Sequence, residues 1–236
     1  MDMIAGTVSL EQVMEALSRK RPIFHSEADF QFSFAQAVTA LAPKVECRLE
    51  RPMLNTATGR TEYLDLLCSG APGETAIEFK YFTRRWSGEV GGEAFELRAH
   101  AATDLLRLHF VHDIVRLERF GFPRPALAVL LTNEPGLWRR STRKPRDRDF
   151  HLHEGRQLSG TLLWADGTYA PNTRDIQGTY ALTWHNYWQL DDQPGGHFRY
   201  LAVEVTPAES PEPLSSVDPG PDMPDLGDPL IEQAPQ

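Results

Sequence analysis

Residues 61–82 read TEYLDLLCSGAPGETAIEFKYF, and this stretch decides the fold. Its two runs, 62–68 and 75–82, are rich in Leu, Ile, Phe and Tyr, and they flank the segment 69–74, which contains Ser, Gly and Pro. Residues of this kind on either side of Gly and Pro favour two strands joined by a turn. The stretch therefore predicts a β-hairpin.

Counting along the predicted hairpin brings two carboxylates to one place. If the six-residue segment forms the turn, Cys68 pairs with Thr75, and the antiparallel ladder then sets Asp65 directly opposite Glu78. Lys80 shares the face of Glu78, because successive side chains of a strand alternate between its two faces. Like charges opposite each other destabilise a sheet, so we expect a compensating cation beside them.

A divalent cation is the natural compensating charge. Magnesium takes oxygen ligands and is usually held by one or two carboxylates together with phosphate oxygens of a substrate. Lys80 would lie beside such an ion, where an ammonium group orients a water or stabilises developing negative charge. The alternative is a surface hairpin whose polar face carries Asp65, Glu78 and Lys80 without a metal, because short motifs recur by chance.

Asp65 followed by Glu78-Phe79-Lys80 resembles the motif of the restriction-endonuclease-like nucleases, the PD-(D/E)xK superfamily. One position departs from that motif, because Leu64 stands where the family pattern has proline. The resemblance implies an α/β fold with an α-β-β-β-α-β core, in which helices flank a mixed central sheet. In this chain that core would be followed by a C-terminal β-rich extension.

The resemblance also implies roles for individual residues. Asp65, Glu78 and the carbonyl of Phe79 would hold Mg²⁺ or Mn²⁺, and Lys80 would position or activate the attacking water. Glu27 matches an auxiliary acidic residue that many members of the family carry. Its alternative is a plain acid in the first turn of a helix, where the helix dipole favours negative charge.

Hydrophobic periodicity predicts the elements around the hairpin. The predicted helices cover 9–20, 25–41 and about 93–120, and the predicted strands cover 45–51 and 126–132, with more strands from 161 onward. Ser26 is the predicted N-cap of the second helix. The third helix carries Asp104 and Arg107, which either face the site or form an ordinary surface ion pair.

Basic residues concentrate in two segments that follow predicted strands, 83–92 and 138–149. Such residues contact the phosphate backbone of nucleic acid without reading its sequence, and Trp86 in the first segment could stack on a base. The candidate nucleic-acid contacts are Arg84, Arg85, Arg107, Arg139, Arg140, Arg143 and Lys144. The alternative is that both segments are solvated loops.

Most of the net negative charge comes from the end of the sequence. The formal net charge is −9, and residues 206–236 carry seven Asp and Glu without Lys or Arg, so the preceding residues carry only −2. This acidic, Pro-rich composition predicts a disordered tail. We divide the remainder into an N-terminal helix over 1–22 and a nuclease-like domain over 23–205.

The remaining sequence features concern location and function. No signal segment or membrane span is apparent, which predicts a cytoplasmic protein without a membrane partner. Cys47 and Cys68 lack metal-ligand spacing and are expected to be reduced thiols. We expect a Mg²⁺- or Mn²⁺-dependent nuclease of the restriction, repair or phage-defence type, acting on nucleic acid, first of all DNA, with a homodimer allowed. The alternative is a catalytically inactive fold that binds nucleic acid or protein.

Overall fold

A computed structural model describes residues 3–55, 58–120 and 126–206. Within these residues the chain is a mixed α/β fold with a six-stranded mixed central sheet, which confirms the predicted α/β class. The predicted acidic tail lies outside the described residues, apart from Thr206. In the part of the chain that the structure describes, no helix is long and apolar enough to cross a membrane.

Four helices and twelve strands make up the described fold. The helices are α1 (Leu10–Lys20), α2 (Glu27–Leu41), α3 (Thr103–Phe120) and α4 (Pro135–Trp138). The strands are β1 (Met3–Ile4), β2 (Val8–Ser9), β3 (Glu46–Asn55), β4 (Arg60–Gly70), β5 (Gly73–Phe82), β6 (Trp86–Val90), β7 (Glu93–Leu97), β8 (Ala126–Thr132), β9 (Gln157–Leu162), β10 (Arg174–Ala181), β11 (Trp184–Gln189) and β12 (His197–Val205). Short 3-10 helices occupy 148–150, 164–167 and 170–172.

The central sheet has the strand order β11-β12-β8-β5-β4-β3. Strands β3, β4 and β5 form an antiparallel meander, and β8 runs parallel to β5. A parallel pair needs a long crossover, and this one contains α3. All seven residues of β8 are buried, as predicted for a central strand covered on both faces.

Helices α1 and α2 cover one face of the sheet, and α3 with the β9–β10 hairpin covers the other. On the first face the ring of Phe79 lies 4.9 Å from the ring of Phe34 in α2. Glu78 and Lys80 point to the opposite face, towards α3, as the alternation predicted. The first helix packs into the same core as α2, through residues such as Met14.

Both upstream helices begin at side-chain caps. Ser9 and Gln12 form a capping box at the start of α1, and the Ser26 side chain accepts a hydrogen bond from the Asp29 amide at the start of α2. The predicted cap at Ser26 is confirmed. Since the cap fixes where α2 begins, it also fixes Glu27 as the first residue of that helix.

The predicted start of the third helix is wrong. Residues 86–97 form a hairpin of β6 and β7, and α3 begins only at Thr103. Along β7, Phe95 is buried while its neighbours are exposed, which is the two-residue alternation of a strand. Gly91 and Gly92 make the turn with φ of 61° and 84°, values that favour glycine.

The predicted loop after β5 and the base-stacking role of Trp86 are also wrong. Trp86 begins β6 and is only 5% exposed, and its indole N–H donates to the Asp191 carboxylate at 3.2 Å. A side chain buried in this way has no free ring face to offer a base. Trp86 instead anchors the β6–β7 hairpin to the rest of the fold.

The two cysteines face each other across β3 and β4. Cys47 and Cys68 are partners in the ladder, their sulfur atoms lie 3.6 Å apart, and both are free thiols. The absence of a disulfide agrees with the prediction.

Candidate functional site

The candidate site forms where β4 separates from β5. Cys68 pairs with Thr75 as predicted, but the ladder ends at the pair of Leu66 with Ile77. The predicted direct pairing of Asp65 with Glu78 is therefore absent from the ladder. A carboxylate oxygen of Asp65 instead accepts a hydrogen bond from the Phe79 amide at 2.7 Å, in the place of a β4 carbonyl.

Strand β4 is irregular at this point. Leu66 is buried on the side of α1 and α2, whereas Leu64 is buried on the side of α3. Regular alternation would have placed these two side chains on the same face. The ladder with β3 is interrupted at the same level, where Glu50 has a φ of 50°. The break turns Asp65 towards the free edge of β5.

Glu27 brings a second carboxylate to that edge. Its Oε2 atom accepts a hydrogen bond from the Tyr81 amide at 2.7 Å, so Glu27 and Asp65 occupy alternate amides of β5. Burial raises the pKa of Glu27 above its ordinary value, although Lys80 and the Tyr81 amide act in the opposite direction. The first turn of α2 thus reaches the place where β4 leaves the sheet.

Glu78 is the most deeply buried acid of the site. Its side chain is 1% exposed, and Oε1 lies 3.2 Å from Nη2 of Arg116. The pKa of Glu78 is raised to about 9, first by burial and then by the neighbouring carboxylates of Asp65 and Asp113, while Arg116 and Lys80 lower it by less. The acidic neighbours of Glu78 therefore outweigh its basic neighbours.

Lys80 joins the edge of β5 to α3. Its ammonium lies 2.6 Å from an oxygen of Asp113 and donates to the Phe79 carbonyl at 3.0 Å. Burial lowers the pKa of Lys80, but the combined effects of Asp113, Glu27 and Asp65 outweigh burial, so the pKa lies above its ordinary value. Burial raises the pKa of Asp113 to about 6, against the pull of Lys80. Lys80 stays charged at neutral pH.

Sequence reasoning missed both residues that α3 contributes, Asp113 and Arg116. Their signal is a pair of charged residues three apart on a helix face that is otherwise buried. Asp104 and Arg107, the α3 residues that the sequence indicates, do not pair with each other. Asp104 pairs with Arg146, and Arg107 is buried against another part of the chain.

Arg107 is not part of an exposed basic surface, contrary to its predicted role in nucleic-acid contact. Its guanidinium lies 2.7 Å from the Asp147 carboxylate and donates to the Gly136 carbonyl at 3.0 Å. Asp147 is 1% exposed, and Arg107 is 9% exposed. This ion pair fastens the segment after α4 to α3.

The oxygen atoms at the break suit a hard divalent cation. Asp65, Glu78 and the carbonyl of Phe79 are two carboxylates and a backbone oxygen, which is the donor set that magnesium takes together with waters and phosphate. The excess of carboxylate charge around Glu78 favours a cation there. Among the described residues, no three or more His, Cys, Asp or Glu side chains form a metal-binding group. The fit therefore depends on the Phe79 carbonyl as the third donor.

A cleft of about 600 Å³ opens beside Glu27. It lies between the start of α2, the end of β5 and β7. Its lining residues are His25, Ser26, Glu27, Tyr81, Thr83, Glu96, Leu97, Arg98 and His100. The wall from β7 is held in place by Thr83, whose amide donates to Nδ1 of His100 and whose hydroxyl donates to the Arg98 carbonyl.

No family model, curated protein or solved structure matches this chain. The candidate site consequently stands on its own residues and their geometry.

Exposed basic residues follow the carboxyl ends of β5 and β8. Arg84 and Arg85 follow β5 after Thr83, and the Arg84 backbone is joined to Asn133, just after β8, by hydrogen bonds in both directions. The basic surface consists of the exposed residues Arg84, Arg85, Arg139, Arg140, Arg143 and Lys144. None of these six side chains pairs with an acidic side chain in 3–55, 58–120 or 126–206.

Proposed function

We propose that the protein is a metal-dependent nuclease that hydrolyses phosphodiester bonds of nucleic acid, first of all DNA. The observation that carries the proposal is the meeting of Glu27, Asp65, Glu78 and Lys80, from three separate elements, around two backbone amides of β5. The order α2-β3-β4-β5-α3-β8, into which the β6–β7 hairpin is inserted after β5, supports a restriction-endonuclease-like core together with the parallel pairing of β8 and β5.

Asp65, Glu78 and the Phe79 carbonyl would hold Mg²⁺ or Mn²⁺. When bound, such an ion supplies Lewis-acid stabilisation of phosphate oxygens and makes a bound water more acidic. The Phe79 carbonyl is at present an acceptor for Lys80, and Glu78 is a partner of Arg116. Both oxygens would exchange these partners for the ion.

Lys80 acts in this proposal as a donor of hydrogen bonds and not as a base. Its raised pKa keeps the ammonium charged at neutral pH, and a charged ammonium cannot take a proton from water. It can orient the attacking water and stabilise negative charge on the phosphorus centre. Asp113 holds the ammonium in place. Glu27 accepts a hydrogen bond from the amide of the next residue, Tyr81.

The cleft and the basic surface give the substrate a path to these residues. The cleft has the size of pockets that enclose a small ligand, which suits a short stretch of one strand. Arg84 follows Lys80 by four residues, about 13 Å along an extended chain. Phosphates on either side of the scissile bond would therefore meet the basic surface.

The deciding experiment is a cleavage assay with purified protein. Linear duplex DNA, circular single-stranded DNA and RNA are incubated with Mg²⁺, with Mn²⁺ or with a chelator. We expect cleavage of at least one substrate with metal, and a loss of at least about 100-fold in Lys80→Ala. Lys44→Ala, an exposed lysine before β3, is the matched control and should keep full activity. A Lys80→Ala protein as active as the wild type would refute the proposal.

The second candidate function is a catalytically inactive nuclease-like fold that binds nucleic acid or protein. The observation in its favour is that Glu78 and Lys80 already have ion-pair partners in α3. Binding of nucleic acid through the basic surface, without cleavage of any of the three substrates in either metal, would support this candidate.

A further inference from the structure

Arg116 is the cation that pairs with Glu78 in the candidate site. Its Nη2 atom lies 3.2 Å from Glu78 and also donates to the Tyr63 carbonyl at 2.6 Å. Its Nε atom lies 3.2 Å from a carboxylate oxygen of Glu62. The side chain is only 15% exposed, so its position is largely enclosed.

Arg116 also lies 3.8 Å from the Asp113 carboxylate on its own helix. The other two carboxylates that it contacts, Glu62 and Glu78, differ in their surroundings. Glu78 is 1% exposed and lies inside the site, whereas Glu62 is 24% exposed and lies at its rim. Glu62 is itself held by Arg119 at 3.0 Å and by the side-chain amide of Asn55 at 2.5 Å. Glu62 is therefore a fixed anchor that can keep Arg116 without Glu78.

We propose that Arg116 is a positioning residue that holds the side chain of Glu78 in the metal-free protein and releases it when a divalent cation binds. This inference rests on the proposed function. A guanidinium stays charged at all accessible pH values, so it competes with the ion for the same carboxylate. Glu62 and the Tyr63 carbonyl retain Arg116 after the exchange.

The contact between Arg116 and Glu78 stabilises the metal-free state. A carboxyl group buried as deeply as Glu78 is costly without a polar partner, because its lost hydration is not replaced. Arg116 supplies that partner until the ion arrives. The consequence is a metal affinity lower than the oxygen donors alone would give, and a site that holds its shape without metal.

The test is a calorimetric titration of Mn²⁺ into the full chain without substrate. Arg116→Met removes the charge and keeps a long side chain, and we expect it to bind Mn²⁺ about tenfold more tightly, equivalent to about 1.4 kcal/mol. Arg119→Met is the matched control. Arg119 lies on the same helix as Arg116 and pairs with Glu62, but it does not pair with Glu78. We expect its Mn²⁺ affinity to stay within about twofold of the wild type.

Thermal unfolding separates this role from a structural one. Arg116→Met should have a lower Tm than the wild type in chelator and should gain more Tm from millimolar Mn²⁺, by mass action. A structural role alone would lower the Tm equally with and without metal. If Arg116→Met does not fold, Arg116→Lys is used instead. A lysine ammonium lacks the planar fork with which a guanidinium bridges two carboxylates. The Arg116→Lys protein should therefore bind Mn²⁺ about threefold more tightly than the wild type.

The outcomes distinguish this inference from the proposed function. If the wild type binds Mn²⁺ and the Arg116 variants bind it equally or more weakly, the competition is refuted while the proposed nuclease stands. If neither the wild type nor any variant binds Mn²⁺, the proposed function falls and the inference falls with it.

Discussion

Asp65 has two separable properties, its charge and its hydrogen bond to the Phe79 amide. Asp65→Asn keeps an oxygen acceptor but loses the charge, so we expect stability within about 1 kcal/mol of the wild type. Metal-dependent cleavage should fall at least about 100-fold. Asp65→Ala leaves the amide without its acceptor and should cost about 1–3 kcal/mol.

Urea unfolding of the two Asp65 variants, next to the cleavage assay, checks this prediction. If Asp65→Asn and Asp65→Ala are destabilised equally, the negative charge of Asp65 itself stabilises the fold. In that case Asp65 would be a structural residue and the break in β4 would not be a metal site.

The raised pKa of Glu78 makes the stability of the metal-free protein depend on pH. In the folded state the pKa of Glu78 is raised, first of all by burial, to about 9, whereas the ordinary pKa of a glutamate is 4.5. The folded state therefore binds more protons than the unfolded state between these values, and stability falls as pH rises through this window. The stabilising contribution is fully present below about pH 4.5 and is lost above about pH 9.

Thermal unfolding in chelator at about pH 5, 7 and 9 measures this effect. Glu78→Gln cannot ionise, so its Tm should fall less over this range than that of the wild type. Glu89→Gln, at an exposed position of β6, should follow the wild type. Identical pH profiles for wild type and Glu78→Gln would show that Glu78 is ionised throughout.

Among the elements, the β6–β7 hairpin gives the clearest prediction about stability. Trp86 fills the core beneath the hairpin, so Trp86→Ala should cost about 3–5 kcal/mol in urea unfolding. Trp188→Ala, at a side chain that is 39% exposed, should cost much less. A Trp86→Ala protein of unchanged stability that binds nucleic acid poorly would instead restore the base-stacking role.

The elements that sequence reasoning predicted are those specified locally. The pairing of Cys68 with Thr75 follows from the turn between them, the start of α2 from the Ser26 cap, and the burial of β8 from its continuous apolar run. The β6–β7 hairpin was missed because residues 93–97 run almost directly into a helical pattern. A short apolar run is compatible with both the helical and the strand periodicity of hydrophobic residues.

The candidate site was predictable only on the strand side. The spacing of Asp65, Glu78 and Lys80 is a property of one hairpin, and Glu27 follows a visible cap. Asp113 and Arg116 meet them only after α3 crosses the sheet, and no local pattern fixes that meeting. The break at Asp65 was invisible for the same reason, because it depends on how three strands fit together.

At the scale of the whole molecule, the basic surface predicts how binding depends on salt. Each phosphate contact with duplex DNA contributes about −0.9 to the slope of log K against log salt. Replacing the four exposed basic residues of the 139–144 segment by Gln should therefore reduce the slope by up to about 3.6. The four substitutions are Arg139→Gln, Arg140→Gln, Arg143→Gln and Lys144→Gln.

Fluorescence anisotropy with labelled duplex, in Ca²⁺ to support binding, measures the slope. Arg146 and Arg148 are the controls, since each already pairs with an acidic side chain and its replacement by Gln should change the slope little. A slope that stays constant after all four substitutions would place the nucleic acid on another face.

The central sheet ends at β3, and the backbone of this strand has consequences for assembly. An uncovered edge strand is a template for a further strand, either from a second copy or from a growing fibril. Pro52 lacks the N–H that such pairing uses, and the positive φ of Glu50 interrupts the extended run. Both features discourage growth of the sheet in this direction. We therefore expect concentrated solutions to resist β-type aggregation, and any homodimer to form through a surface other than this edge.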